Sequence, residues 1–156
     1  MHQQASSLRR ALFALLICAL PAQAGVTAYC PPTPNSVGPG AQLAWRGPAD
    51  PAQAQLIVSG LPAGAIALYV YSPAQQQIPF GNGSLCVGPP AFNLARRAAD
   101  AFGRSTLQIA LEGEREDVRW LLSGLLPSAN FQVLYRDAAS AGAKMNSSGA
   151  LAVVFE

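Results

Sequence analysis

The chain has 156 residues, with ten basic and eight acidic side chains and a mean hydropathy of +0.23. Its length favours one domain, and no apolar run after residue 24 approaches the roughly 20 residues that cross a membrane. The only histidine is His2. Histidine is the usual base for a Ser or Cys nucleophile and a preferred zinc ligand, so both kinds of site are disfavoured.

Residues 1–24 have the three regions of a secretory signal peptide. Arg9 and Arg10 form the positive region, residues 11–20 are apolar, and Ala22-Gln23-Ala24 fits the small-x-small cleavage pattern. We predict cleavage after residue 24 and a secreted or periplasmic domain of residues 25–156. Loss of the two arginines leaves eight basic and eight acidic residues. No positive excess then remains to favour nucleic acid.

Two cysteines, Cys30 and Cys86, remain in the predicted mature chain. An even number of cysteines in an exported protein indicates a disulfide, with two free buried thiols as the alternative. We predict a bridge between them. Closing this loop of 56 residues would stabilise the fold by about 4 kcal/mol in the chain-entropy model.

Short strands separated by Pro- and Gly-rich turns follow the cleavage site. Residues 65–72 are apolar on both faces, as in a central strand, whereas residues 92–98 fit either a strand or a helical turn. Acidic residues open a short helix at 114–122, and residues 137–148 read as a loop. The other predicted strands cover residues 26–30, 41–46, 56–58, 78–80, 84–87, 105–111, 130–136 and 149–155. We predict an all-β, single-domain antiparallel β-sandwich, Ig-like or jelly-roll-like, with one short helix and one disulfide.

The dipeptide Asn82-Gly83 predicts a chain reversal. A type I′ turn needs positive φ at both central residues, and Asn-Gly adopts it at low steric cost. The strand that leaves this turn carries Cys86 inward. Phe80 beside the turn is a candidate for a ligand loop, but turn geometry and the disulfide explain the segment without a ligand.

No set of residues predicts catalysis or a resident metal. Lys144 near Ser147 is the one possible Ser–Lys pair, and a solvated turn explains it. The acids within 112–117 alternate with Arg115, as at a solvated helix start. Calcium binding and carboxylate-pair hydrolysis stay open as alternatives. We predict a non-catalytic protein without cofactor or metal.

A glycan-binding module would present aromatic rings as stacking platforms. The candidates on predicted strands are Trp45, Tyr69 and Tyr71. Burial in the core is the alternative, because large aromatic side chains on strands usually face the interior.

Several short motifs recur in a known kind of protein. They are Tyr29-Cys30, Asn35-Ser36-Val37-Gly38, Gly60-Leu61-Pro62, Pro79-Phe80-Gly81-Asn82-Gly83, Leu85-Cys86-Val87, Phe131-Gln132 and Tyr135-Arg136-Asp137. On these residues the chain resembles an uncharacterised bacterial secreted β-sandwich module. The resemblance covers nearly the whole mature chain, and it implies a scaffold, a disulfide and export, but no activity.

The expected function is therefore a secreted, non-catalytic structural or interaction module. Its partner would be a protein or glycan at the cell surface. A glycan-binding, lectin-like module is the alternative function.

Overall fold

The computed structural model describes residues 25–155, so the predicted signal peptide lies outside the described residues. Most of the chain forms short strands because apolar and polar residues alternate between turn residues. The strands are Val26–Cys30 (β1), Gln42–Arg46 (β2), Gln55–Ser59 (β3), Ile66–Ser72 (β4), Gln75–Phe80 (β5), Gly83–Val87 (β6), Phe92–Ala98 (β7), Ser105–Gln108 (β8), Ser128–Arg136 (β9), Met145–Ser147 (β10) and Ala150–Val154 (β11). A 3-10 helix, Ile109–Glu112, and one α-helix, Glu116–Leu122 (α1), follow β8.

The strands form two main sheets and a hairpin, all antiparallel. The main sheet has the order β1-β11-β9-β4-β7, with β10 added alongside β9, and the second sheet has the order β2-β3-β8. The hairpin is β5-β6. This arrangement confirms the predicted all-β, sandwich-type fold with a short helix. Within residues 25–155, no helix has the length and apolarity needed to cross a membrane.

One apolar core lies between the two main sheets. Tyr71 and Phe131 belong to the inner face of the main sheet, and Leu56 and Leu107 belong to the second sheet. Leu121 of α1 is also fully buried in this core. Burying each side chain of this size contributes about 1.5–3 kcal/mol, so contacts between the sheets and α1 hold the two layers together.

The β5–β6 hairpin lies against the outer face of the main sheet. Gln132 and Val70 point to that face, opposite the core, and they are 1% and 5% exposed. The prediction that residues 65–72 form a central strand is confirmed, because β4 pairs with both β7 and β9. Its apolar character on both faces reflects the sandwich core on one side and the hairpin on the other.

The hairpin turn differs from the predicted type I′ turn at Asn82-Gly83. Phe80 pairs with Gly83, so the two-residue loop is Gly81-Asn82. Gly81 has the positive φ (58°), and Asn82 and Gly83 do not. A glycine at the first central position is typical of a type II′ turn. A Cβ on Gly81 would lie 2.3 Å from the Met145 carbonyl oxygen, so glycine is also required there by space.

Other segments differ from the prediction at their boundaries. Residues 92–98 are a strand, and α1 begins at residue 116. The strand predicted over 105–111 ends at Gln108 because its partner β3 begins at Gln55, directly opposite. The predicted loop over 137–148 contains β10, which folds back on β9 after Lys144 adopts a positive φ of 51°. A three-residue polar strand has no periodic signal, so sequence patterns miss it.

Candidate functional site

The disulfide between Cys30 and Cys86 is present, which confirms the sequence prediction. It joins the last residue of β1 to the hairpin strand β6. Both cysteines are buried beside Ala150, and the Tyr29 hydroxyl donates a hydrogen bond to the Cys86 carbonyl (2.9 Å). The bridge therefore ties the edge of the main sheet to the hairpin that covers its outer face.

A buried glutamine ties the same hairpin to the middle of the sheet. Gln132 Oε1 accepts a hydrogen bond from the Cys86 amide (2.9 Å). Its Nε2 donates to the carbonyls of Ser84 (2.9 Å) and Ser148 (3.0 Å). Gln132 thus bonds three backbone groups, and for two of them, the Cys86 amide and the Ser148 carbonyl, it is the only side-chain partner among the described residues.

Two further motifs bind each other across the fold. Asn35 donates to the Gly60 carbonyl (2.7 Å) and to the Tyr135 hydroxyl (3.0 Å). The Ser36 amide donates to buried Asp137 (2.9 Å), and the Ser36 hydroxyl donates to the same carboxylate. These motif residues have a structural role, which is to hold the loop after β1 against the end of β9.

Asn82 has a comparable role at the hairpin tip. Its Nδ2 donates to the Ser140 hydroxyl (2.9 Å) and to the Ala141 carbonyl (2.7 Å), and its Oδ1 accepts from the Ala143 amide (3.0 Å). The motif around the turn therefore fixes the hairpin tip against the loop that precedes β10. No ligand is needed to explain it.

The three aromatic residues predicted to stack on a glycan lie in the core. Trp45, Tyr69 and Tyr71 are 7%, 0% and 0% exposed. Trp45 donates to the Pro48 carbonyl (2.9 Å), and Tyr71 donates to the Asp117 carbonyl. A sugar ring stacks on an open aromatic face, so placing these residues at a binding surface was wrong. The cause is the alternation of side chains along each strand, which turns Tyr69 and Tyr71 of the main sheet and Trp45 of the second sheet toward the core between the sheets.

Burial also changes the acidity of the tyrosines. It raises the pKa of Tyr29 to about 12, and it raises the pKa of Tyr71 to about 12 with a further contribution from the Asp117 charge. The pKa values of Tyr69 and Tyr135 are raised by burial as well. All four phenols are therefore neutral at physiological pH and act as core residues with a polar tip.

The acidic segment around α1 lies beside arginines. The pairs are Arg97 with Glu112, Arg115 with Asp117 at 4.0 Å, and Arg119 with Glu114 at 4.0 Å. Within residues 25–155, no group of three or more His, Cys, Asp or Glu side chains is positioned to hold a metal ion. Exposed pairs of this kind contribute little to stability, and they place an arginine beside three of the four carboxylates of the segment.

The hairpin leaves part of the outer sheet face open. Register places Leu68 of β4 opposite Arg96 of β7 on one side and opposite Leu134 of β9 on the other. These three residues form a row across three strands. Leu68 and Leu134 are half-buried and Arg96 is exposed, so the row has an apolar floor and a basic end.

A second row lies two residues further along the strands. Ile66 of β4 is 53% exposed, and Met145 of β10 is 38% exposed. Met145 pairs with Arg136, the last residue of β9. This row therefore combines two exposed apolar side chains with a second arginine.

The two rows and the hairpin together enclose a groove of about 410 Å³, which we call the sheet-face groove. Phe80 of β5 forms part of its wall. The apolar side chains at the groove are Ile66, Leu68, Phe80, Leu134 and Met145, and the charged ones are Arg96 and Arg136. This volume falls within the range of ligand-binding clefts. Contiguous exposed apolar surface of this kind marks interaction sites more often than isolated exposed residues do.

Sequence reasoning did not identify the sheet-face groove. Turn geometry and the disulfide already explain the segment around Phe80, and no sequence pattern assigns a role to Leu68, Leu134 or the two arginines. The signal that could have indicated these residues is the apolar character of residues 65–72 on both faces, together with apolar residues that the hairpin is too short to cover.

Comparisons with protein-family models, with curated proteins and with solved structures give no match for this chain.

Proposed function

We propose that this chain is an exported, non-catalytic interaction module that binds a protein partner through the sheet-face groove. The observation that carries the proposal is the open apolar groove beside a hairpin that a disulfide and Gln132 fix in place. A rigid wall beside a recessed apolar floor is preorganised for binding, which reduces the entropy lost when a partner docks.

The sequence supports export and a non-catalytic role. The first 24 residues have the pattern of a signal peptide, and disulfides persist mainly in oxidising compartments. The polar motif residues Asn35, Ser36, Asn82, Gln132 and Asp137 act as structural ties. The resemblance to a secreted module is in keeping with the same role.

Capture from the exported fraction of the source organism tests the groove. The bait is the mature chain, and the comparison is Leu134→Glu, which places a charge on the groove floor. Leu125→Glu is the matched control, because Leu125 is 76% exposed and lies outside the groove. We expect a partner retained by the wild type and the control and lost by Leu134→Glu.

Circular dichroism and melting temperature establish that each variant is folded. Met145→Glu is a second groove variant at a more exposed position, and it serves if Leu134→Glu does not fold. Partners retained equally by all variants would overturn the assignment of the groove. For export, N-terminal sequencing of the secreted protein should begin at Gly25, and a chain that retains Met1 would contradict the signal peptide.

A further inference from the structure

We propose that the partner of the sheet-face groove is an extended peptide segment with two carboxylate side chains that flank an apolar one. This inference rests on the proposed function, because it names the chemistry of what the groove binds. It is argued from the charge and the spacing of the groove residues.

The charge at the groove has one sign. Arg96 and Arg136 are the charged side chains that line it, and no carboxylate does. Among residues 25–155, neither guanidinium takes part in an ion pair or donates a hydrogen bond. Both are exposed and free to bind an anion. Arginine presents a planar donor fork that matches a carboxylate in two-point geometry.

The surroundings reinforce this charge at one end. Arg96 also lines a neighbouring polar pocket of about 430 Å³ together with Arg97 and Arg115. Those two arginines already lie beside Glu112 and Asp117. Arg96 is therefore the guanidinium in that pocket without a carboxylate neighbour. A carboxylate of the partner could form an ion pair with it.

The spacing of the arginines fits an extended chain. Arg96 and Arg136 lie two strands apart and two residues apart along the strands. With about 4.8 Å between strands and 3.4 Å per residue, their Cα atoms are separated by about 12 Å. Side chains at positions i and i+4 of an extended peptide lie on one face and about 13 Å apart. Position i+2 on that face would then lie over β4, between Leu68 and Ile66.

The shape of the groove favours a peptide over a lipid surface. Leu68 and Leu134 are half-buried at the floor, with Phe80 and Met145 at the wall. A recess admits single side chains of a peptide. A flat membrane surface would contact the exposed Ile66 and Met145 beside the arginines, but it would leave the half-buried floor empty. The recognised pattern is therefore acid-x-apolar-x-acid.

The test is selection of a random peptide library, displayed on phage, against the intact mature domain. We expect enriched peptides with Asp or Glu four residues apart and a large apolar residue between them. Substitution of both Asp or Glu residues in a selected peptide by Asn or Gln should weaken binding by about two-fold to 25-fold, since each exposed pair contributes up to about five-fold. Higher salt should weaken binding as well.

Variants of the domain show which arginine binds each acidic side chain of the peptide. Arg96→Glu should switch the preference at one acidic position to Lys or Arg, and Arg136→Glu should switch it at the other. Arg46→Glu is the matched control, because Arg46 is exposed on β2 of the second sheet. It should leave the selected pattern unchanged. Folding of each variant is checked by melting temperature.

The outcomes separate this inference from the proposed function. Apolar peptides that lack acids, but still require Leu134, would overturn the inference and leave the groove as the binding site. Peptides that bind Leu134→Glu as well as the wild type would overturn both. Binding to phosphatidylglycerol vesicles that is lost in Arg96→Glu, with no peptide enriched, would also overturn the inference.

Discussion

Replacing Gln132 by leucine tests whether this side chain fixes the hairpin to the main sheet. Leucine has a similar volume but cannot donate or accept a hydrogen bond. The Ser84 carbonyl retains a bond from the Ser147 hydroxyl (2.8 Å). The Cys86 amide and the Ser148 carbonyl lose the only side-chain partner they have among the described residues.

The size of the effect follows from these two orphaned groups. A buried donor or acceptor left without a partner costs about 1–3 kcal/mol. Gln132→Leu should therefore lower the free energy of unfolding by about 2–6 kcal/mol, a large part of the stability of a small domain. Because the loss concerns contacts between hairpin and sheet, the Cys86 amide should also exchange its hydrogen faster.

Urea unfolding followed by circular dichroism measures the change, and an unchanged slope with denaturant shows that the same surface is exposed. Gln108→Leu is the matched control. Its Oε1 accepts a bond from the Gln55 side chain (2.8 Å) at a partly exposed position, where water can replace it, so we expect a loss below about 1 kcal/mol. A loss of unfolding free energy below about 1 kcal/mol in Gln132→Leu, as in the control, would refute the reasoning.

Two further predictions concern the disulfide and the tyrosines. The double variant Cys30→Ala and Cys86→Ala opens a loop of 56 residues. It should lose about 4 kcal/mol, or about 15 °C in melting temperature for a domain of this size. Reductant should lower the melting temperature of the wild type and leave that of the variant unchanged. A wild-type melting temperature that does not change in reductant would contradict the stabilising role of the disulfide. In the folded protein, phenolate absorbance should rise for Tyr29 and Tyr71 near pH 12 and not near pH 10. Because the fold favours the neutral phenol, stability is complete below about pH 10 and declines as the pH rises toward 12; native titration of these residues near pH 10 would disprove their burial.

Local features of the fold follow from neighbouring residues, and these were predictable. Alternating apolar residues indicate the strands, and the double-sided pattern of residues 65–72 indicates a central one. The pairing of Cys30 with Cys86 follows from the count of cysteines and from the signal-peptide pattern. Even the turn was placed to within one residue, although its type was wrong. Glycine is required at position 81 because a Cβ there would clash with the carbonyl oxygen of Met145, which lies 64 residues away in the chain.

The candidate site depends on contacts between distant segments, and this is why sequence patterns did not show it. Trp45, Tyr69 and Tyr71 could have faced either side of their strands, and only the packing of the two sheets directs them inward. Leu68 and Leu134 come together because β4 pairs with β9 in one register, and a shift of one residue would reverse every side chain.

The sequence by itself determined most of the strands, the cysteine pair and the lack of histidine after residue 24, because these are properties of single residues and short windows. The tertiary structure decided which apolar residues are covered and which remain open. The hairpin covers Val70 and Gln132 and stops short of Leu68 and Leu134. Where it stops is set by the disulfide, by the bonds of Gln132 and by β10, all of which join segments far apart in the chain. The groove exists because the hairpin covers only part of the outer face of the main sheet.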